Sequence, residues 1–282
     1  MHGRIYVRAD DRKSDKTRAR KVCTMTDKTK KNYRLSSVKN ALRILNSFSM
    51  ETPEKRVSDL AFELGIGKST VSRLLSTLAS EGYVMKEGDN QKYRLGLQIL
   101  ALNSIVTSQL EINHAALPVL KELVRDTGEA ALISILEDEI VYIEQIEGLH
   151  PDPVLTYVGG RNPVHCTSEG KLLLAFHEEA NIKRILANGL TTYTPKTVTD
   201  PCILRKQLAD IRENGFCYCE SEYMEDIVSY AAPIRDYSKG VVAALTLVVP
   251  VQRLQHQPLI HLQKKIMKAA KEISKNLGYF GP

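Results

Sequence analysis

The sequence predicts two folded parts joined by a linker helix: an N-terminal winged helix-turn-helix, mostly α with a β-hairpin wing, and a C-terminal α+β domain. Three observations carry this expectation. Residues 34–96 read helix, helix, tight turn, helix, hairpin. Residues 113–282 alternate apolar strand runs with amphipathic helices. Between them, "LQILALNSIVTSQ" keeps helical spacing with more apolar positions than one small domain needs. A chain of 282 residues is long enough for two such domains, each with its own core.

Residues 1–33 show no apolar periodicity and read as a basic, disordered tail. The net charge of +6 is unevenly spread. Residues 1–31 hold eleven Lys and Arg against four Asp, residues 32–110 ten against seven acidic, and residues 111–282 eighteen against twenty-two. Positive charge gathers in the N-terminal third, as expected of an end that meets a polyanion. The N-terminus lacks the apolar core of a signal peptide, and no run of ~18 apolar residues occurs. A cytoplasmic location without membrane contact is therefore expected. Five cysteines without C-x-x-C spacing read as reduced thiols.

In "SSVKNALRILNSFS", Val38, Ala41, Leu42 and Leu45 recur at helical spacing behind a serine N-cap. "ETPEKR" is a polar connection. "VSDLAFELG" is a short helix, capped by Ser58 and stopped at Gly65. The next stretch, "GIGKST", resembles the end of a phosphate loop, but that motif needs a glycine at position 62, where Phe62 stands, and a buried strand before it. The glycines instead serve a tight turn between helices, with Ile66 packed inward.

"KSTVSRLLSTLASEG" then buries Val71, Leu74, Leu75 and Leu78. It leaves Lys68, Ser69, Thr70, Ser72, Arg73, Ser76 and Thr77 outward, a short polar and basic face suited to a major groove. Arg73 is the expected guanine or phosphate contact. Ser69, Thr70 and Ser72 would meet phosphates or base edges near the helix N-terminus. Two short strands around Gly88-Asp89-Asn90 form the wing, whose Lys86, Lys92 and Arg94 would grip the backbone of double-stranded DNA. The alternative is a winged helix that serves protein assembly. Residues 97–112 are expected to join the domains and to pair with a second copy, giving a homodimer suited to a palindromic operator.

From residue 113 onward, "HAALPVLKELVRDTG" is a helix and "AALISILE" and "EIVYIEQIEG" are paired strands. An irregular Pro/Gly-containing stretch leads to a helix starting at "SEGKLLLAFH", with further helices at 178–188 and 200–214. "GFCYCESEY", "IVSYAAPIRD" and "GVVAALTLVVP" are strands, and 258–277 is a final helix. One antiparallel sheet covered by helices follows.

Catalysis is the poorest reading. Cys166 beside His165 lies on extended chain, where neighbours point to opposite faces, so it reads as a buried thiol. Cys217 and Cys219 share a strand face, but i, i+2 thiols alone make a weak zinc site even with His165 or His177 nearby. No G-x-S-x-G, H-E-x-x-H or dinucleotide fingerprint occurs, and no cofactor is expected.

Four stretches, "SDLAFELGIGKSTVSRLLSTLASEGYV", "GRNPVHCTSEGKLLLAF", "LRKQLADIRENGF" and "SYAAPIRDYSKGVVAALTLVVP", resemble the IclR-type bacterial transcription regulators. The resemblance covers about residues 34–280. It implies a GAF-like effector-binding domain over 113–282, a dimer that often pairs into tetramers, and control of a catabolic operon, more often by repression. Implied effectors are organic acids, aromatic or sugar-derived molecules. The family's pocket falls on Ser168, Glu169 and Gly170 at a helix N-terminus, on Cys219 to Glu222 including Glu220, on Ser229, and on Thr246 with Val248. This chain departs from the pattern at Glu169, usually small, Cys219, often aspartate, and Asp226, usually glycine. A carboxylate effector then requires Glu169 to point outward or to pair with a cation. A polyol, sugar-like or neutral ligand is the other expectation.

Overall fold

A computed structural model of the chain describes residues 35–88, 91–150, 156–256 and 259–281. The tail expected over 1–33 and the turn residues 89–90 lie outside that set, as do 151–155 of the irregular stretch. The chain divides into two compact units between Gln98 and Ile99.

In the first unit, α1 (Ser36–Leu45), α2 (Val57–Leu64) and α3 (Lys68–Ser80) enclose a core of Ile44, Leu60, Ala61, Val71, Leu75 and Val84. Leu74, Leu78 and the turn residue Ile66 pack against it, as the spacing predicts. Three details differ from expectation. The N-cap of α1 is Leu35, without a side-chain cap, and Val38 and Leu42 are more than half exposed. The helix docks through Ile44, which lies off the 38–42 stripe, together with the expected Leu45. In α2, the carboxylate of Asp59 reaches back to the Arg56 N–H at 3.0 Å, and Ser58 only donates its hydroxyl to that carboxylate. Finally, the "polar connection" contains a strand, β1 (Lys55–Arg56), which pairs with β3 (Lys92–Leu95); β2 (Val84–Lys86) flanks β3 on the other side. Buried Lys55 can sit there because its ammonium meets Glu63 at 2.6 Å.

The two turn glycines are unequal. Gly65 has φ +65, a left-handed conformation that L side chains adopt at a cost. Gly67, the N-cap of α3, has φ −59 and ψ 137, and a Cβ there would meet nothing within 4 Å.

Helix α4 (Gln98–Ser108) is followed by a break before α5 (Glu111–Thr127), so the linker and the next helix are separate elements. No residue of α4 is buried, and Leu100, Leu102, Ile105 and Val106 are all exposed.

The second unit holds β4 (Ala130–Leu136), β5 (Ile140–Ile146), β6 (Arg161–Asn162), α6 (Ser168–Ala175), α7 (Glu179–Ala187), α8 (Pro201–Asn214), β7 (Cys217–Glu220), β8 (Ile227–Arg235), β9 (Val241–Pro250), a 3-10 turn (Val251–His256) and α9 (Leu259–Asn276). The strands form one antiparallel sheet in the order β6-β5-β4-β9-β8-β7. Strand β9 is apolar almost throughout because both its faces are covered. Ala243, Leu245, Leu247 and Val249 join the core under α5 and α9, while Ala244 and Val248 join the core under α6 and α8. All eight residues of α6 are buried, so it forms an inner layer between the sheet and α8. Its entry is tight: a Cβ on Gly170 would lie 2.2 Å from the Val164 carbonyl oxygen.

Candidate nucleic-acid interface and ligand cavity

Helix α3 presents Lys68, Ser69, Ser72, Arg73, Ser76 and Thr77 to solvent, with Thr70 half-buried. The sequence folds this way because Val71 and Leu75 take the inward positions one turn apart. Thr77 spends its hydroxyl on the Arg73 carbonyl at 3.1 Å, which leaves the N-terminal two turns as the face open to a polyanion. In the wing, Lys92 pairs with Glu54 at 3.2 Å and Arg94 with Glu87 at 3.2 Å, while Lys86 is exposed. Two of the three wing cations therefore carry a carboxylate that a phosphate would have to displace.

In the second unit a cavity of about 90 Å³ lies at the N-terminal end of α6. The helix starts there because the Thr167 hydroxyl caps it, accepting from the Gly170 N–H at 3.3 Å. Glu169 and Cys166 come from this region, Tyr142 from β5, Asn162 from β6, Ser229 from β8 and Val248 from β9; Cys219, Ser221 and Glu222 come from the end of β7. The β7 end is fixed by two threonines. Thr194 donates to the Ser221 carbonyl and Thr197 to the Glu222 carbonyl, each at 2.6 Å. Ser221 itself takes a left-handed φ of 56.

Two carboxyl groups face the cavity, and each is already engaged. Tyr142 donates to Glu169 Oε1 at 2.6 Å, the Ser168 hydroxyl donates to Oε2 at 3.1 Å, and the Asn162 amide donates to the Tyr142 oxygen at 2.7 Å. Burial pushes the Glu169 carboxyl above the usual carboxylate range, partly offset by Tyr142 and by its own backbone N–H. Burial and the Glu169 charge together hold Tyr142 well above the ordinary phenol value, so it remains a donor. Behind the wall, Lys171 gives its ammonium to both oxygens of Glu222 at 2.5 and 2.6 Å. Burial opposes that charge, but Cys219 and Glu222 outweigh it and raise the lysine pKa.

The thiols are unsuited to nucleophilic chemistry. Burial, then Glu222, pushes Cys166 up to about 12, and a hydrogen bond with Cys217 together with burial holds Cys219 well above the ordinary thiol. His165 is engaged through Nε2 with the Thr191 carbonyl at 2.8 Å. Among the described residues, no three His, Cys, Asp or Glu are placed to hold a metal ion. No helix among them is long and apolar enough to cross a membrane.

Residues 37–88 match the IclR helix-turn-helix domain, and residues 104–275 match the bacterial transcriptional regulator IclR C-terminal domain. The chain belongs to the IclR family. It is 34% identical over 247 residues to the HTH-type transcriptional regulator XynR of Escherichia coli, covering 87% of this chain and 98% of that one. To the transcriptional repressor IclR of the same organism it is 26% identical over 251 residues, 88% of this chain and 91% of that one. It is also similar to the solved structure of an IclR homologue from Microbacterium hydrocarbonoxydans complexed with 4-hydroxybenzoate. There the TM-score is 0.77 and the identity 26%, over 86% of this chain and 99% of that one. IclR proteins are DNA-binding transcriptional regulators, repressors among them.

Of the pocket positions that the IclR resemblance implies, Glu169, Cys219, Ser229 and Val248 line the cavity. Ser168 and Gly170 are buried just behind it, Ser168 bonded to Glu169 and Gly170 filling the tight entry to α6. Glu220 is not brought in. Strand alternation turns it away, toward Lys196 at 2.5 Å and the Tyr218 hydroxyl at 2.8 Å. Thr246 is fully buried deeper along β9, where its hydroxyl has no hydrogen-bond partner. Neither proviso for a carboxylate effector is met: Glu169 is buried beside the cavity, and its partners are Tyr142 and Ser168, not a cation. Asp226 is exposed and outside the left-handed region, so its position needs no glycine. The implied stretches at 168–171 and 219–222 also contain Lys171 and the lining residues Ser221 and Glu222, but sequence reasoning missed Tyr142, Asn162 and the pairing of Lys171 with Glu222. The lysine inside the apolar run "GKLLLA" was the available signal.

Proposed function

We propose that this protein represses a catabolic operon by binding a palindromic DNA site as a homodimer, under the control of a small effector held in the cavity at the N-terminal end of α6. The single observation that carries the reading is the cavity itself. Polar groups from α6, β5, β6, β7 and β8 converge on one small volume in a family of DNA-binding regulators. The IclR homologue complexed with 4-hydroxybenzoate supports a ligand role for this domain. The exposed basic face of α3 supports DNA reading, and the exposed apolar residues of α4 support pairing with a second copy. The high thiol pKa values and the engaged His165 support a binding role without catalysis or a cofactor. A chain of this kind is expected to work in the cytoplasm, where its DNA and its metabolite meet. Mechanistically, a ligand that prefers one arrangement of the dimer shifts the population toward it and changes operator affinity by that difference.

The test is selection of bound fragments from sheared genomic DNA by the purified full chain, read by sequencing. Enrichment of one inverted repeat beside a promoter is the expected result. Recovery without enrichment of any fragment, with and without residues 1–31, would overturn DNA reading in favour of a winged helix used for protein assembly.

A further inference from the structure

Resting on the reading above that the cavity at the N-terminal end of α6 binds the effector, we infer that Glu169 makes it selective for a compact, uncharged molecule bearing at least two hydroxyl groups, a small polyol or lactone, and that it rejects the corresponding acids.

Three observations lead there. First, among the described residues that line the cavity there is no Lys, Arg or His, so an entering carboxylate meets no free cation. The nearest, Lys171, is buried and already bound by both oxygens of Glu222. Second, two carboxyl side chains face the space, Glu169 and Glu222. An anion placed beside them in a water-poor site loses its hydration and gains no opposite charge in return. The lone backbone donors at the start of α6 are no refuge, because Glu169 folds its carboxyl back onto its own N–H and onto the Ser168 hydroxyl. Third, the surroundings disfavour uncompensated charge. The Lys171–Glu222 pair cancels, and burial favours the protonated form of Glu169. A cationic ligand therefore finds Glu222 already paired and, in Glu169, a carboxyl whose charged form burial disfavours.

What remains matches hydroxyl groups. Carboxyl oxygens on Glu169 and Glu222 accept from the ligand, and the Ser229 hydroxyl and Asn162 amide lie on the same wall. The Tyr142 and Tyr223 rings offer flat apolar surface to C–H faces. The volume of about 90 Å³ limits the guest. At ~10–15 Å³ per water on this measure, it holds on the order of six to nine water-sized groups.

The experiment uses the full chain, with ligand-observed NMR and calorimetry on matched pairs. Glycerol is set against glycerate, erythritol and erythrono-1,4-lactone against erythronate, and arabinitol against arabinonate. At least one uncharged member is expected to bind ten-fold or more tightly than its acid, and to lose binding in Val248→Trp, which fills the cavity. Glu169→Ser is expected to raise affinity for the acids ten-fold or more, by freeing the start of α6. An acid that binds wild type as tightly as its uncharged partner overturns the inference, as does failure of every uncharged member to bind at 50 mM, a concentration on the order of that used for weak fragments. Operator release read in the same samples separates the two claims. Release by an acid bound in the cavity sinks the selectivity while keeping the regulatory reading. Cavity binding of a polyol with no effect on any operator complex does the reverse.

Discussion

Lys171 holds both carboxylate oxygens of Glu222, at 2.5 and 2.6 Å, from a position only 2% exposed. The pair spans from the fourth residue of the inner helix α6 to the segment just after the edge strand β7, 51 residues on. Removing one partner strands the other charge away from water, which costs about 3–5 kcal/mol in buried pairs. Lys171→Met and Glu222→Gln are each expected to lose stability in that range in urea unfolding of the full chain. The double variant should recover a large part of the loss. Simple addition of the two single losses would show that the pair is not a coupled unit.

Glu169 carries the opposite sign of pH dependence from a surface carboxylate. Its native pKa lies above the ordinary 4.5, because burial disfavours the charged form. Between 4.5 and that raised value the native state binds more protons than the unfolded chain, so this group's contribution falls as pH rises and then levels off. Glu169→Gln removes that fall. The stability difference between variant and wild type, from urea midpoints across pH 4 to 8, is expected to move in the variant's favour with rising pH, on the order set by a shifted buried acid. A flat difference, or one moving the other way, contradicts the assignment.

The turn before α3 separates a required glycine from a replaceable one. Gly65→Ala forces an L side chain to φ +65 and is expected to cost about 1 kcal/mol. Gly67→Ser meets open space at an N-cap, where serine gains a few tenths of a kcal/mol over glycine. Thermal unfolding of the two variants should therefore shift in opposite directions.

Arg73 is exposed in the middle of α3. Arg73→Ala is expected to cost about 1–3 kcal/mol of operator affinity and to relax preference at one base if the guanidinium reads an edge. If it meets a phosphate, all sequences weaken together and the salt slope drops by about one ion. Binding titrations at several salt concentrations on the selected operator and on scrambled DNA distinguish these. Unchanged affinity for both would remove Arg73 from the interface.

The order of elements was legible because each is long enough to show its period: α3 at 3.6 residues, β9 as a run apolar on both faces. What escaped were relationships between elements. Val38 and Leu42 satisfy the helical pattern as fully as Leu45 does, yet of the three only Leu45 packs on the core of its unit. The pattern records that a face is apolar and says nothing of what covers it. The family resemblance implies Glu220 as part of the pocket, and the two-residue period of β7 sends it to the other side. Tyr142 reaches Glu169 across 27 residues, a pairing no local spacing encodes.

Helix α6 has no face toward water, and this makes it a gauge. Its amides cannot exchange with solvent through fraying of a surface turn; the layers on both sides must come apart first. The slowest deuterium uptake in residues 171–175 therefore measures how firmly the second unit as a whole is held together, under native conditions and without denaturant. Any molecule that occupies the neighbouring cavity slows that clock by the factor 1 + [L]/Kd, whatever its chemistry and whether or not DNA is present.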